Sequence, residues 1–182
     1  MKKNVLLITG SPRKGGNTEL LAEAFARGAE AAGHSVTIFN AAADPVQPCR
    51  ACDACWSKGA ACVFDDGFTR LAPLMAKAEA IALCGPIYWF TFSAQLKSVI
   101  DKFYPFFGDR PQQLKGSMYL LMCAGDPSSE IFDLARQEFD RSVESLGLIN
   151  GGHVLAPGAY EKGDIKITDA LNQAEKLGRQ IG

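Results

Sequence analysis

The residues with the clearest chemical purpose form one short stretch, Gly10-Ser11-Pro12-Arg13-Lys14-Gly15-Gly16-Asn17-Thr18. It follows the apolar run Val5-Leu6-Leu7-Ile8 and precedes a segment whose residues 20, 21, 24, 25 and 28 recur with helical spacing. A strand, a glycine-rich turn and a helix start therefore follow one another. Glycines let main-chain N–H groups approach an anion closely, and the helix start adds free donors and partial positive charge. The natural guest is a phosphate. Gly10 and Gly15 have the outer spacing of a nucleotide-triphosphate loop, but Gly16 stands where its lysine belongs and Asn17 where its Ser or Thr belongs, which argues against ATP or GTP. The dinucleotide fingerprint G-x-G-x-x-G is also absent. What remains suits a single terminal phosphate met by the Ser11 and Thr18 hydroxyls, the Asn17 amide, the Gly15 and Gly16 main chain and the Arg13 guanidinium. The alternative is an ordinary loop with a helix cap at Asn17 or Thr18.

Two further stretches invite a chemical reading. Cys49, Cys52, Cys55 and Cys62 fall within fourteen positions, and in a reducing compartment such density argues for metal or redox chemistry before disulfides. Cys84 and Cys123 end apolar runs and read as small core residues. In residues 85–93, Tyr88, Trp89, Phe90 and Phe92 crowd what reads as a loop at the carboxyl end of a strand, where folding alone does not require aromatics. The plainer reading is that these rings pack the helix that follows. Asp65 and Asp66 resemble a catalytic carboxylate pair, but a helix-start cap explains them better. His34 lies in a turn and is expected at the surface without a role.

The elements that must carry these residues can be read in order. After the first helix, Ser35 to Asn40 forms a second strand and completes a right-handed β-α-β unit. Regular patterning then stops over residues 41–66, a length that marks a functional insertion. A helix resumes near Phe68, with Pro73 expected in or near its first turn. Ala80 to Cys84 forms a buried parallel strand, and Ser93 to Phe103 a helix. Tyr104, Pro105, Phe106 and Phe107 read as either core or a subunit contact, and their place after a helix stop favours the contact. Ser117 to Cys123 gives the fourth strand. A helix capped before Glu130, a fifth strand over residues 151–157 and a last helix from about Thr168 complete the chain.

Five strands alternating with helices specify an α/β fold, a doubly wound parallel sheet with helices on both faces, in one domain spanning residues 1–182. Ligands of such sheets bind at the carboxyl edge, where all three unusual loops, after strands one, three and four, should lie. With 19 basic and 20 acidic residues and no run of one sign, neither a nucleic-acid nor a membrane surface is indicated. The apolar start is too short for a signal peptide, so a cytoplasmic setting is expected.

Gly-Ser-Pro-Arg-x-x-Gly-Asn-Thr at residues 10 to 18, Pro-Ile-Tyr at 86 to 88 and Gln-Leu-Lys-x-x-Ile-Asp at 95 to 101 resemble the NAD(P)H-dependent FMN reductase group of the flavodoxin-like fold. The resemblance covers residues 4 to about 127. It implies that Ser11, Arg13, Gly16, Asn17 and Thr18 hold the FMN phosphate and that Pro86, Ile87, Tyr88, Trp89 and Phe90 line the isoalloxazine ring. Ala124, Gly125 and Asp126 would form a third wall. Flavodoxins proper use a Ser/Thr-rich phosphate loop without the arginine, so Arg13 points away from a simple flavodoxin.

The spacing Cys49-x2-Cys52-x2-Cys55-x6-Cys62 is similar to the compact motif of the iron–sulfur flavoproteins, a branch of the same fold with a [4Fe-4S] cluster beside FMN. Structural zinc, a redox-active dithiol and a loop of free thiols stay open beside it. The expectation is an FMN-dependent oxidoreductase that takes electrons from NAD(P)H and passes them to an unknown acceptor, the cluster serving as a relay. The flavin would carry the chemistry, so no catalytic acid–base pair is expected. A non-enzymatic electron carrier and a zinc-stapled interaction protein are the alternatives. The resemblance and the aromatics at 103 to 107 together suggest a homodimer or homotetramer.

Overall fold

The computed structural model describes residues 1–59, 61–108 and 113–182. Its elements run β1 (Asn4–Thr9), α1 (Asn17–Ala31), β2 (Ser35–Asn40), α2 (Ala54–Ser57), α3 (Gly67–Lys77), β3 (Ala80–Tyr88), β4 (Thr91–Phe92), α4 (Ala94–Asp101), β5 (Ser117–Cys123), α5 (Asp133–Ser145), β6 (Ile149–Ala156) and α6 (Ala170–Arg179). Strands β2-β1-β3-β5-β6 pair in that order, all parallel. Leaving out the short β4, this is the doubly wound order of flavodoxin-like sheets, with the winding reversing between β1 and β3.

Alternation along the strands divides the core in two. Leu6, Ile8, Ile81, Leu83, Leu120 and Met122 face α3, α4 and α5, while Val5, Leu7, Ala82, Leu121 and Cys123 face α1 and α6. Helices cover both faces, which is why β1, β3 and β5 read as continuous apolar runs. On the second face α1 and α6 pack backbone to backbone. A Cβ at Gly28 would stand 2.0 Å from the Glu175 carbonyl oxygen, and one at Gly178 2.2 Å from that of Phe25.

Several local expectations need correction. β3 does not stop at Cys84 but continues to Tyr88, and Thr91–Phe92 turns back antiparallel upon it. The expected loop 85–93 is therefore mostly a hairpin, whose turn residues Trp89 and Phe90 both have positive φ, 48° and 71°. A two-residue turn of this kind needs both in the left-handed region, a conformation that bulky residues adopt only under constraint. Pro73 lies in the interior of α3, on its exposed face, where water can serve the carbonyl left without its N–H partner. The aromatics after α4 divide: Phe103 and Phe106 are core residues, whereas Tyr104 and Phe107 are exposed. The last helix starts at Ala170, slightly later than expected, and Ile167 before it is exposed. His34 is half-buried and fastens the chain ends: its Nδ1 accepts from the Lys3 N–H at 3.1 Å, and its Nε2 lies 3.0 Å from the Ile181 carbonyl oxygen.

Candidate functional site

The carboxyl ends of β1, β3 and β5 open onto one cleft of about 520 Å³. It is lined by Ser11, Arg13, Gly16, Asn17 and Thr18 from the first loop, Pro86, Ile87, Tyr88, Trp89 and Phe90 from the hairpin, and Ala124, Gly125 and Asp126 after β5. Every residue that the family resemblance implies at a flavin site thus lies on one cavity, whereas Gly15, expected as a main-chain phosphate donor, does not line it. Cys123, Ile131, Ala159 and Tyr160 complete the lining and were not anticipated. Cys123 could have been suspected from its place at the end of a strand. Tyr160 carries no signal in the sequence, because its loop is brought in by tertiary contacts.

The first loop is fixed from below. The Gly10 N–H donates to the Cys84 carbonyl at 2.9 Å, and the buried Ser93 hydroxyl donates to the Gly10 carbonyl at 2.8 Å. Leu96 of α4 sits so close that a Cβ at Gly10 would stand 2.4 Å from its Cγ. The loop enters α1 through Gly16 at its N-cap, leaving the first N–H groups of the helix without partners inside it. Just before the helix, the Glu19 carboxylate accepts from the Gly15 N–H at 2.5 Å, so an acidic group takes up one of the main-chain donors of the turn.

The expected donors are not equivalent. The Arg13 guanidinium and Ser11 are exposed to solvent or partly so, and Thr18 is buried with its hydroxyl 3.2 Å from the Cys123 sulfur. The Asn17 amide differs most: it is buried and bonded entirely to the main chain between residues 159 and 165. Its side chain is therefore a structural clamp and not a phosphate donor. On the opposite side Tyr88, Trp89 and Phe90 are exposed by 41%, 91% and 53% and form an aromatic surface. The third wall is sewn to the chain after β6: Ala159 N–H donates to the Ala124 carbonyl and Gly158 N–H to that of Asp126, both at 2.8 Å. Burial pushes the Cys123 thiol up, with the Thr18 hydroxyl and the Arg13 charge pulling partly back. Cys84 is fully buried and its thiol is raised well above the usual range by burial, as a core residue's should be.

The cysteine segment makes a second site. Cys49, Cys52, Cys55 and Cys62 all line one pocket of about 40 Å³, together with Lys102 and Tyr104. Burial raises the Cys55 thiol, and the other three cysteines add to the effect. Among the described residues no three His, Cys, Asp or Glu side chains converge as a single metal ion would require. Ala51 and Asp53, between the cysteines, have positive φ of 51° and 52°. Lys102, which lines the pocket, is held by Asp66. Asp66 caps α3 through the Phe68 N–H at 2.7 Å, accepts from the Gln47 N–H at 2.9 Å and pairs with buried Lys102 at 2.5 Å. Burial works to raise the Asp66 carboxyl, but Lys102 and the two N–H groups outweigh it and hold it below its usual range. The capping role expected of this acidic pair therefore belongs to Asp66. Trp56 stacks on Tyr104 with ring centres 4.6 Å apart.

A flavodoxin-like sheet with a glycine-rich anion loop and an aromatic cleft at its carboxyl edge defines the class of a flavin-type α/β oxidoreductase. Residues 3–144 match the family of NADPH-dependent FMN reductases, and the chain belongs to that family. It is 28% identical to an iron-sulfur flavoprotein of Archaeoglobus fulgidus over 177 residues, 96% of this chain and 76% of that one. It is 26% identical to the Bacillus subtilis protein YwqN, named as a candidate NAD(P)H-dependent FMN-containing oxidoreductase, over 95% of both chains. Among solved structures, an NAD(P)H:quinone oxidoreductase from Methanothermobacter marburgensis superimposes with a TM-score of 0.79 at 18% identity, covering 98% of this chain and 96% of that one. That likeness bears on the fold. Among the described residues no helix is long and apolar enough to cross a membrane.

Proposed function

We propose that the carboxyl-edge cleft binds FMN and that the protein, a single flavodoxin-like domain with residues 41–66 inserted, draws electrons from NAD(P)H for an outside acceptor. The observation that carries this reading is that the anion loop, the aromatic hairpin and the turn at 124–126 share one cleft. When bound, the flavin supplies the redox chemistry, taking hydride from the nicotinamide nucleotide. The residues present fit it. Ser11, Thr18, Arg13 and the first-turn N–H groups of α1 hold the phosphate end. Pro86, Ile87, Tyr88, Trp89 and Phe90 offer a flat surface to the ring, which covers their exposed apolar area and keeps water from it. Ala124, Gly125 and Asp126 close the other side, and Asp126 keeps its turn by accepting from the Ser128 N–H at 2.8 Å. The purified protein should be yellow and oxidise NADH or NADPH in air. A colourless protein that takes up no added FMN would remove the reading.

The four clustered cysteines are proposed to ligate a [4Fe-4S] cluster, which would supply one-electron relay between flavin and acceptor. Relatives named as iron-sulfur flavoproteins support this reading over zinc, which four thiolates could equally hold. Iron and acid-labile sulfide in protein purified without oxygen would support the cluster, and stoichiometric zinc without iron would contradict it. Reduced thiols suit a cytoplasmic setting. Exposed Tyr104, Phe107 and Leu134 suit a homodimer or homotetramer, which sedimentation would test.

A further inference from the structure

We infer that residues 159–165 form a fourth wall of the cleft, latched by Asn17, which brings Tyr160 to the ring end and Lys162 to the phosphate end. This rests on the reading of the cleft as an FMN site. Asn17 Nδ2 donates to the carbonyls of Ala159 at 3.0 Å and Glu161 at 2.8 Å, while Oδ1 accepts from the N–H groups of Gly163 at 2.9 Å and Ile165 at 3.4 Å. Both donors and the acceptor capacity of one amide are thereby committed to a single segment. The residue is 8% exposed, so removing the amide would strand several of those main-chain groups. Family matching ends at residue 144, short of this segment.

Between the anchored positions stand Tyr160 and Lys162. The Tyr160 ring lies over Gly125, where a Cβ would come within 2.6 Å of its Cδ2, and the residue lines the cleft. Its carbonyl oxygen stands 3.5 Å from Arg13 Nη1, which holds the guanidinium toward the cleft. Lys162 reaches over the anion loop from outside, and a Cβ at Gly15 would stand 2.9 Å from its Nζ. Gly15 therefore has two reasons to lack a side chain, its φ of 61° and the lysine above it. Among the described residues no carboxylate pairs with Lys162. The Lys162 ammonium over Gly15, in the same loop as Arg13, supplies a second positive charge for a phosphate dianion, and the tyrosine supplies an apolar edge to a flat ring.

Titration of the flavin-free protein with FMN and with riboflavin, which lacks the phosphate, separates the two roles through quenching of flavin fluorescence. Lys162→Met should raise the FMN Kd about fivefold to tenfold and leave riboflavin unchanged. Tyr160→Ala should weaken both ligands, and Asn17→Ala should combine the two losses. Lys166→Met, on the same segment but away from Gly15, should match the wild type. Both Lys162 and Tyr160 are exposed, so their variants decide the matter even if Asn17→Ala fails to fold. The inference is overturned if wild type binds FMN while Lys162→Met and Tyr160→Ala stay within about twofold of it. It is also overturned if Lys162→Met weakens FMN and riboflavin equally. A wild type that binds neither flavin contradicts the FMN reading itself.

Discussion

The carboxyl-edge cleft and the cysteine pocket are both carried by segments that leave parallel strands, yet they are built in opposite ways. Each wall of the cleft is tied to the sheet or to another wall: Gly10 to Cys84, Ser93 to Gly10, Ala159 to Ala124, and residues 159–165 to Asn17. The result is an open cavity of about 520 Å³. The cysteine pocket is tied down through two of its lining residues, Lys102 paired with Asp66 and Tyr104 stacked on Trp56. Between those ties run left-handed Ala51 and Asp53 and a single helical turn, and the enclosed volume is about 40 Å³. A flat organic ligand can enter a site formed in advance. A cluster assembles with its ligands and fixes their geometry as it binds. The cleft is thus a property of the folded chain, and the pocket, on the proposed reading, takes its final form only with the cluster proposed for it.

This contrast can be broken most decisively by replacing Cys49, Cys52, Cys55 and Cys62 together with serine. Iron should be lost completely while the FMN content per chain stays that of the wild type; loss of flavin as well would mean the two sites are one unit. Next in size is Lys102→Met, which leaves the Asp66 carboxylate buried without its cation. Unfolding stability should fall by about 3–5 kcal/mol in denaturant titrations near neutral pH. Because the folded Asp66 carboxyl is held low, its contribution is complete above the ordinary value of about 3.9 and fades as pH falls through the folded one. The variant's deficit should therefore shrink in acid, and a deficit independent of pH would assign the loss to packing of the lysine stem.

Arg13→Ala should weaken FMN by roughly tenfold to a hundredfold, the scale of a charge-assisted contact, while leaving any iron in place. Smallest is Trp89→Ala at the hairpin tip. With the residue 91% exposed, stability should change by less than about 0.5 kcal/mol, and the measurable effect should be a weaker flavin affinity. Unchanged affinity for both flavins would remove Trp89 from the site.

Much of this was legible in the residues. The apolar runs of β1, β3 and β5 and the glycine-rich turn after β1 fix the fold and the edge on which ligands bind, because a parallel sheet buried on both faces admits few other readings. Tyr88, Trp89 and Phe90 were recognisable as surplus to folding, although the two left-handed residues that make their loop a hairpin were not. What escaped was tertiary. Nothing local distinguishes Asn17 as a clamp from Asn17 as an anion donor, since both uses put an amide at a helix start. Its partners lie over 140 residues away. Tyr160 and Lys162 were invisible for the same reason, and so was the bridging of the chain ends by His34.

The central claim is tested most directly by mixing the FMN-loaded protein with NADPH without oxygen and following flavin absorbance. Bleaching on the timescale of turnover is the predicted result. A flavin that stays oxidised with NADPH and NADH, yet is readily reduced by a chemical reductant, would make the protein an electron carrier and contradict the account.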